Sequence, residues 1–185
     1  MREKPVCKQK TVIAKSNLFT IEQMQLEFSN GSRRVYERIR HHGHGAVLIV
    51  ALTPSESFLL VREYAAGTDA YEVAFPKGLI EKGESALQAA DRELREEAGF
   101  GARRLDWIHS LTLAPGYFGA RLDVVLARDL YPASLSGDEP EPPEVIEWPL
   151  YASDELLLRP DFSEARSIAA LFLVKQWLEK EKNNE

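Results

Sequence analysis

The apolar and polar positions divide the chain into strands in its first part, a helix near its middle and a long helix near its end. Residues 11–28 read as strand, with Phe19 and Ile21, then Met24, Leu26 and Phe28, in alternation. Ser29-Asn30-Gly31 supplies a turn, and Arg33–Ile39 returns as the second arm of a hairpin. His41-His42-Gly43-His44-Gly45 reads as a linker; the histidines have no cysteine partners and no fourth ligand in sequence, so a zinc site is not expected there. Residues 46–52 and 58–64 are nearly unbroken apolar runs joined by the turn Thr53-Pro54-Ser55, and 71–75 form a further strand after a loop containing Gly67. Strands are predicted at 105–113 and 122–127, then a proline- and acid-rich loop over 131–144. A short helix is predicted at 153–158 and a long one at 161–181, with Ser163 as N-cap. Its apolar positions Ile168, Leu171, Phe172, Val174 and Leu178 would face a core or a second subunit. No internal repeat is visible.

The central helix carries the chemistry. Ser85 and Gln88 form a capping box that starts it near Ala86, and Gly99 is the natural residue just past its end. Leu87, Ala90, Leu94 and Ala98 make an apolar stripe. Glu93 and Glu97 lie at its edge, about 40° apart around the helix axis. Glu96 neighbours Glu93 at i+3. Like charges at this spacing cost roughly 0.2–0.5 kcal/mol. Anions in the last turn cost about 0.3–1 kcal/mol more each. Arg92 and Arg95 offset only part of this. A divalent cation held among the glutamates explains the arrangement better than a solvated charged face, and Mg²⁺ suits carboxylates that share it with substrate phosphates.

Residues 78–100, GLIEKGESALQAADRELREEAGF, also fit the pattern G-x5-E-x7-R-E-U-x-E-E-x-G-U, where U is a bulky apolar residue. Its identities are Gly78, Glu84, Arg92, Glu93, Glu96, Glu97 and Gly99, with Leu94 and Phe100 at U. Such a match arises by chance on the order of once in 10^8 windows. The segment resembles the box of the Nudix hydrolases. That resemblance implies an α/β fold, an α/β/α sandwich with the box as loop-helix-loop, and Mg²⁺ or Mn²⁺ bound by Glu93, Glu96 and Glu97. It also implies a backbone carbonyl ligand near Gly78 and an Arg92–Glu84 pair that orients the helix.

Outside the box, the β-rich start resembles the ADP-ribose pyrophosphatase branch, which implies an N-terminal arm over residues 1–40, a hydrolase domain over 41–185 and a homodimer. Glu72-Val73-Ala74-Phe75-Pro76-Lys77-Gly78 departs from the Glu-x-Pro-Ala-Gly run of many members of that branch, and its Pro-Lys-Gly end resembles members acting on dinucleoside polyphosphates. With residues 64–68, the 137–142 run and 148–150, the mixture resembles members that accept several ADP compounds: ADP-ribose, NADH and diadenosine di- or triphosphate. In the loop 136–144, Glu141 and Glu139 are candidates for the general base, with Glu96 or Glu93 as alternatives. Arg62, Tyr64, Lys77 and Tyr117 are candidate substrate contacts. Arg62 either grips phosphate through its planar fork or pairs with Glu63 or Glu72. Phe118, beside Tyr117, stacks on substrate or joins the core.

Composition narrows the alternatives. A length of 185 residues with 44% apolar content suits one main domain. The single Cys7 fits a reducing cytoplasm, and no apolar run or leader-like segment points to a membrane. A net charge of −6 without a basic patch argues against nucleic-acid partners, hence against an RNA cap hydrolase. The full set of box acids argues against a module that binds ADP-ribose without cutting it. The expected activity is therefore Mg²⁺-dependent cleavage of the pyrophosphate in a small nucleotide substrate, releasing AMP.

Overall fold

The computed structural model describes residues 3–40, 43–137 and 140–184. Of the positions discussed above, His41, His42 and Glu139 lie outside the described residues. The chain forms two compact units, Met1–His42 with Thr112–Arg121, and Gly43–Leu111 with Leu122–Glu185.

In the first unit β1 (Val6–Lys15), β2 (Thr20–Glu27) and β3 (Arg33–Ile39) make an antiparallel sheet in the order β1-β2-β3. The stretch read as strand over 11–28 begins earlier, at Val6, and is broken between Lys15 and Thr20, where the Ser16 hydroxyl accepts from the Phe19 amide at 2.9 Å. Gly31 takes the left-handed conformation, φ 80°, that the β2–β3 turn requires. The segment 112–121 joins this unit as the Ile39 amide donates to the Tyr117 carbonyl at 2.8 Å. Every residue of β1 is exposed.

The second unit is built on β4 (Ala46–Leu52), whose near-continuous apolar run is buried on both faces. Alternation sends Leu48, Val50 and Leu52 into one cluster with Phe58, Leu60, Val124, Leu126, Leu171 and Val174. Val47, Ile49 and Ala51 enter a second cluster with Leu59, Val125, Ala89, Ala90 and Leu94. Helix α1 (Ala86–Glu97) therefore covers one face of the sheet and α3 (Ala165–Lys182) the other, an α/β/α sandwich. The main strand order is β10-β5-β4-β9-β8, formed by β10 (Glu144–Pro149), β5 (Ser57–Ala65), β4, β9 (Arg121–Pro132) and β8 (Phe100–Thr112). β6 (Ala70–Ala74) pairs with β5, and β7 (Lys77–Leu79) with β4. β4 and β9 are parallel, while β5 and β10 are antiparallel. Among the described residues no helix is long and apolar enough to cross a membrane.

Several local expectations are corrected. The acidic loop is shorter than 131–144, because β9 runs through Pro132 and β10 starts at Glu144. The alternation of half-buried Ile146 and Trp148 with exposed Val145 and Glu147 that builds β10 is masked in sequence by the prolines before it. The short helix α2 (Ser153–Leu156) is preceded by a 3₁₀ turn. The N-cap of α3 is Glu164 rather than Ser163. The Glu164 carboxylate reaches two first-turn amides, those of Arg166 and Ser167, whereas the Ser163 hydroxyl bonds Glu72 at 3.2 Å. Of the apolar positions expected to face a core or a second subunit, Leu171 and Val174 are fully buried in the core and Phe172 is 54% exposed.

Candidate active site

Helix α1 begins as its sequence dictates. Ser85 Oγ accepts from the Gln88 amide at 3.3 Å, and Gln88 Oε1 accepts from the Ser85 amide at 2.9 Å. The helix ends before Gly99, which takes φ 75°. Ala89, Ala90 and Leu94 are buried against the sheet, and this docking carries Glu93 and Glu97, one turn apart, inward to 7% and 6% exposure.

Arg92 organises the acids around it. Its Nε and one terminal nitrogen donate to the two oxygens of Glu84, at 2.9 and 3.1 Å. The other terminal nitrogen donates to Glu93 at 2.7 Å and to Glu96 at 2.9 Å. The Leu79 carbonyl accepts at 2.8 Å, tying the helix to the strand before it. Bonding to Arg92 holds the Glu84 carboxyl below its ordinary range, and the Glu81 amide reinforces this. The bare backbone of Gly78 leaves room for the Glu93 carboxylate, which a Cβ there would push aside.

Glu97 stands in a different environment. Burial, then the charge of Glu63, and more weakly that of Glu93, push its carboxyl up to about 9. Lys77 opposes this through its charge and through its amide, which donates to Glu97 at 3.0 Å. The Lys77 ammonium itself bonds Glu63 at 2.9 Å. Among the described residues no three acidic, histidine or cysteine groups already converge on one point. Glu93 and Glu96 turn to Arg92, and Glu97 turns to Lys77. The donor chemistry of the helix, the carboxylates of Glu93 and Glu97 both buried with Glu96 beside them, is of the kind that suits a hard divalent cation.

Glu97 opens into a cleft of about 680 Å³. Four residues expected from sequence to touch substrate or to act as base line it: Arg62, Tyr64, Lys77 and Glu141. Tyr117 lies in the first compact unit, its ring 5.2 Å from that of half-buried Phe118. Arg62 pairs with neither Glu63 nor Glu72. It donates to Glu144 at 2.8 Å and to Asp161 at 3.3 Å, because β10 lies beside β5 and places Glu144 opposite Arg62. Bonds from Arg159 hold the Asp161 carboxyl low.

Sequence reasoning missed Glu63, Tyr71, Glu144 and Asp161 as members of this site. For Tyr71 a signal existed: strands 58–64 and 71–75 are near neighbours in sequence, and pairing them as a hairpin puts Tyr71 opposite Tyr64. The two rings meet edge to face at 5.8 Å, and the Tyr71 hydroxyl donates to Glu141 at 3.0 Å.

The chain is similar to known proteins. Residues 5–38 match a family model described as the NudE-type Nudix hydrolase N-terminal domain, and residues 42–172 match the NUDIX domain. The chain is 52% identical over 176 residues to ADP compounds hydrolase NudE of Escherichia coli (strain K12), covering 95% of this chain and 94% of that protein. It is 28% identical over 173 residues to ADP-ribose pyrophosphatase of Bacillus subtilis (strain 168), covering 92% and 91%. A crystal structure of ADP compounds hydrolase superimposes with a TM-score of 0.93 at 50% identity, covering 98% of this chain and 97% of that one.

Proposed function

The chain belongs to the Nudix hydrolases, and on that premise we propose that it is a pyrophosphohydrolase of ADP derivatives whose chemistry is centred on Glu97 and the cleft in front of it. Hydrolases of this family use divalent cations, and we assign Mg²⁺, with Mn²⁺ as a substitute. The observation that carries the assignment is the burial of Glu93 and Glu97 one helical turn apart, where burial and the charge of Glu63 raise the Glu97 carboxyl above its ordinary range. Glu93 and Glu97, with Glu96, would hold the cation. When bound it would neutralise charge on the pyrophosphate and lower the pKa of a water, so that the water gives up a proton more readily as it attacks phosphorus.

The protein's own groups do the rest. The Arg92–Glu84 bonds fix the helix that presents the glutamates. Lys77 and Arg62 admit the anionic substrate to a chain of net charge −6, exchanging Glu63, Glu144 and Asp161 for phosphate oxygens. Tyr64 supplies an aromatic wall for the nucleoside or the second moiety. Glu141 accepts the proton of the attacking water, and one phosphate departs. ADP-ribose would yield AMP and ribose 5-phosphate.

A homodimer is part of this reading. β1 is exposed along its whole length, Val6, Val12 and Ile13 included, which suits a strand that a second copy covers. An exposed, unpaired Cys7 accords with a cytoplasmic site.

The test is a substrate panel with product identification under Mg²⁺ titration. ADP-ribose, NADH and diadenosine di- and triphosphate should each release AMP, and turnover should vanish with chelator. Binding of ADP-ribose with no cleavage at saturating Mg²⁺ would overturn the proposal.

A further inference from the structure

The loop between β9 and β10 is anchored at both ends. At its start the Ala133 amide donates to the Gly99 carbonyl at 3.0 Å and the Leu135 amide to the Arg95 carbonyl at 3.1 Å. Tyr131, just before it, accepts from Arg95 at 2.6 Å, and Arg103 stacks over the same ring at 4.8 Å. At its end Glu144 is held by Arg62. Glu141 lies between these anchors, flanked by Pro140, Pro142 and Pro143. Proline stiffens the chain but offers no amide hydrogen, so it cannot aim a carboxylate by itself. The Tyr71 hydroxyl does so from 70 residues away, at 3.0 Å.

Tyr71 is well placed for that task. β6 is the strand that leads to the box, and the ring is braced edge to face by Tyr64, whose own hydroxyl bonds Asp69 at 2.7 Å. At 53% exposure the Tyr71 ring contributes little to the core, so a purely structural role does not explain a side chain tied to the loop.

We propose that Tyr71 is a positioning residue for the hydrolysis: its phenol holds the Glu141 carboxylate in the cleft in front of Glu97. The inference rests on the reading of Glu141 as the base. It predicts an effect on turnover rather than on substrate affinity, because phenylalanine keeps the ring and removes only the donor.

The experiment compares the full chain with Tyr71→Phe, Glu141→Gln and the double variant, using ADP-ribose and saturating Mg²⁺. Tyr71→Phe should lower kcat about tenfold and leave KM within about twofold, the size expected when one hydrogen bond that orients a catalytic group is lost. Glu141→Gln should lower kcat by about a hundredfold or more, and adding Tyr71→Phe should cost nothing further, since the phenol acts only through that carboxylate. Wild-type or raised kcat in Tyr71→Phe, beside a crippled Glu141→Gln, would overturn the positioning role and leave the base standing. Losses that multiply in the double variant would also overturn it. Wild-type kcat in Glu141→Gln would remove the base reading, and the proposal with it.

Discussion

Arg92, which bonds the box glutamates, and Arg62, which lines the cleft, are built in opposite ways. Arg92 finds its partners Glu84, Glu93, Glu96 and the Leu79 carbonyl within 13 residues of itself. Arg62 finds Glu144 and Asp161 at separations of 82 and 99 residues. The first network is a local structure, set by helix periodicity and a short approach loop. The second exists only after β10 has docked beside β5. The proposed metal-binding acids therefore travel as one cassette of sequence, whereas the proposed substrate contacts and the base Glu141 are brought together only by the fold.

The hardest blow to that contrast falls on the cassette. Glu97→Gln should cut kcat by about 10^2–10^3 or more, the usual loss when one electrostatic stabiliser is removed from a transition state. The same variant should not destabilise the metal-free protein. In the folded metal-free chain Glu97 stays protonated up to about pH 9, whereas in the unfolded chain it ionises near its ordinary value of 4.5. Between those values the folded state binds more protons, so stability falls as pH rises from about 4.5 to 9. Glutamine should flatten that fall in thermal melts, and Mg²⁺ should raise the melting temperature of the unaltered protein more at high pH than at low. Near-normal turnover of Glu97→Gln would show that the cassette is not where the chemistry sits.

Arg92→Met probes the same network through stability. One partly buried guanidinium serves three glutamates, so its loss should cost about 2–3 kcal/mol in metal-free denaturant unfolding. Mg²⁺ should restore part of this by supplying positive charge to the same acids. A loss below about 0.5 kcal/mol would mean that the local bonds are incidental.

Arg62→Ala sharpens the other side and should have the smallest effect. Its carboxylate partners are partly exposed, so stability should change by less than about 1 kcal/mol. KM for ADP-ribose should rise about tenfold with kcat little altered, the pattern of lost uniform binding. An equal fall in kcat and in kcat/KM would instead place Arg62 in the transition state, and the division between the two arginines would dissolve.

The strands that the sequence marked most clearly are those whose environment is uniform. β4 is found at the predicted bounds because both its faces are buried, which leaves an apolar run that no other element would tolerate. Helix α1 is found where its capping box and Gly99 place it, because caps act within four residues. β7 was not foreseen: three residues are too few to show an alternation, and only pairing with Ala46, Val47 and Leu48 of β4 makes Lys77–Leu79 a strand. Ser163 was the plausible N-cap by residue type, and Glu164 won because its longer side chain reaches two amides and the buried Ser167 hydroxyl together.

By itself, then, the sequence determined the box helix, its spacing of acids and the family chemistry these imply, since each depends on contacts a few residues apart. Tertiary structure alone decided that Glu63 would press on Glu97, that Arg62 would answer to Glu144 and Asp161, that Tyr71 would reach Glu141, and that Tyr117 would lie in the other unit. Those meetings join distant segments through strand pairing and packing. Their register is chosen by the whole sheet as it buries its two faces, and no local pattern records it.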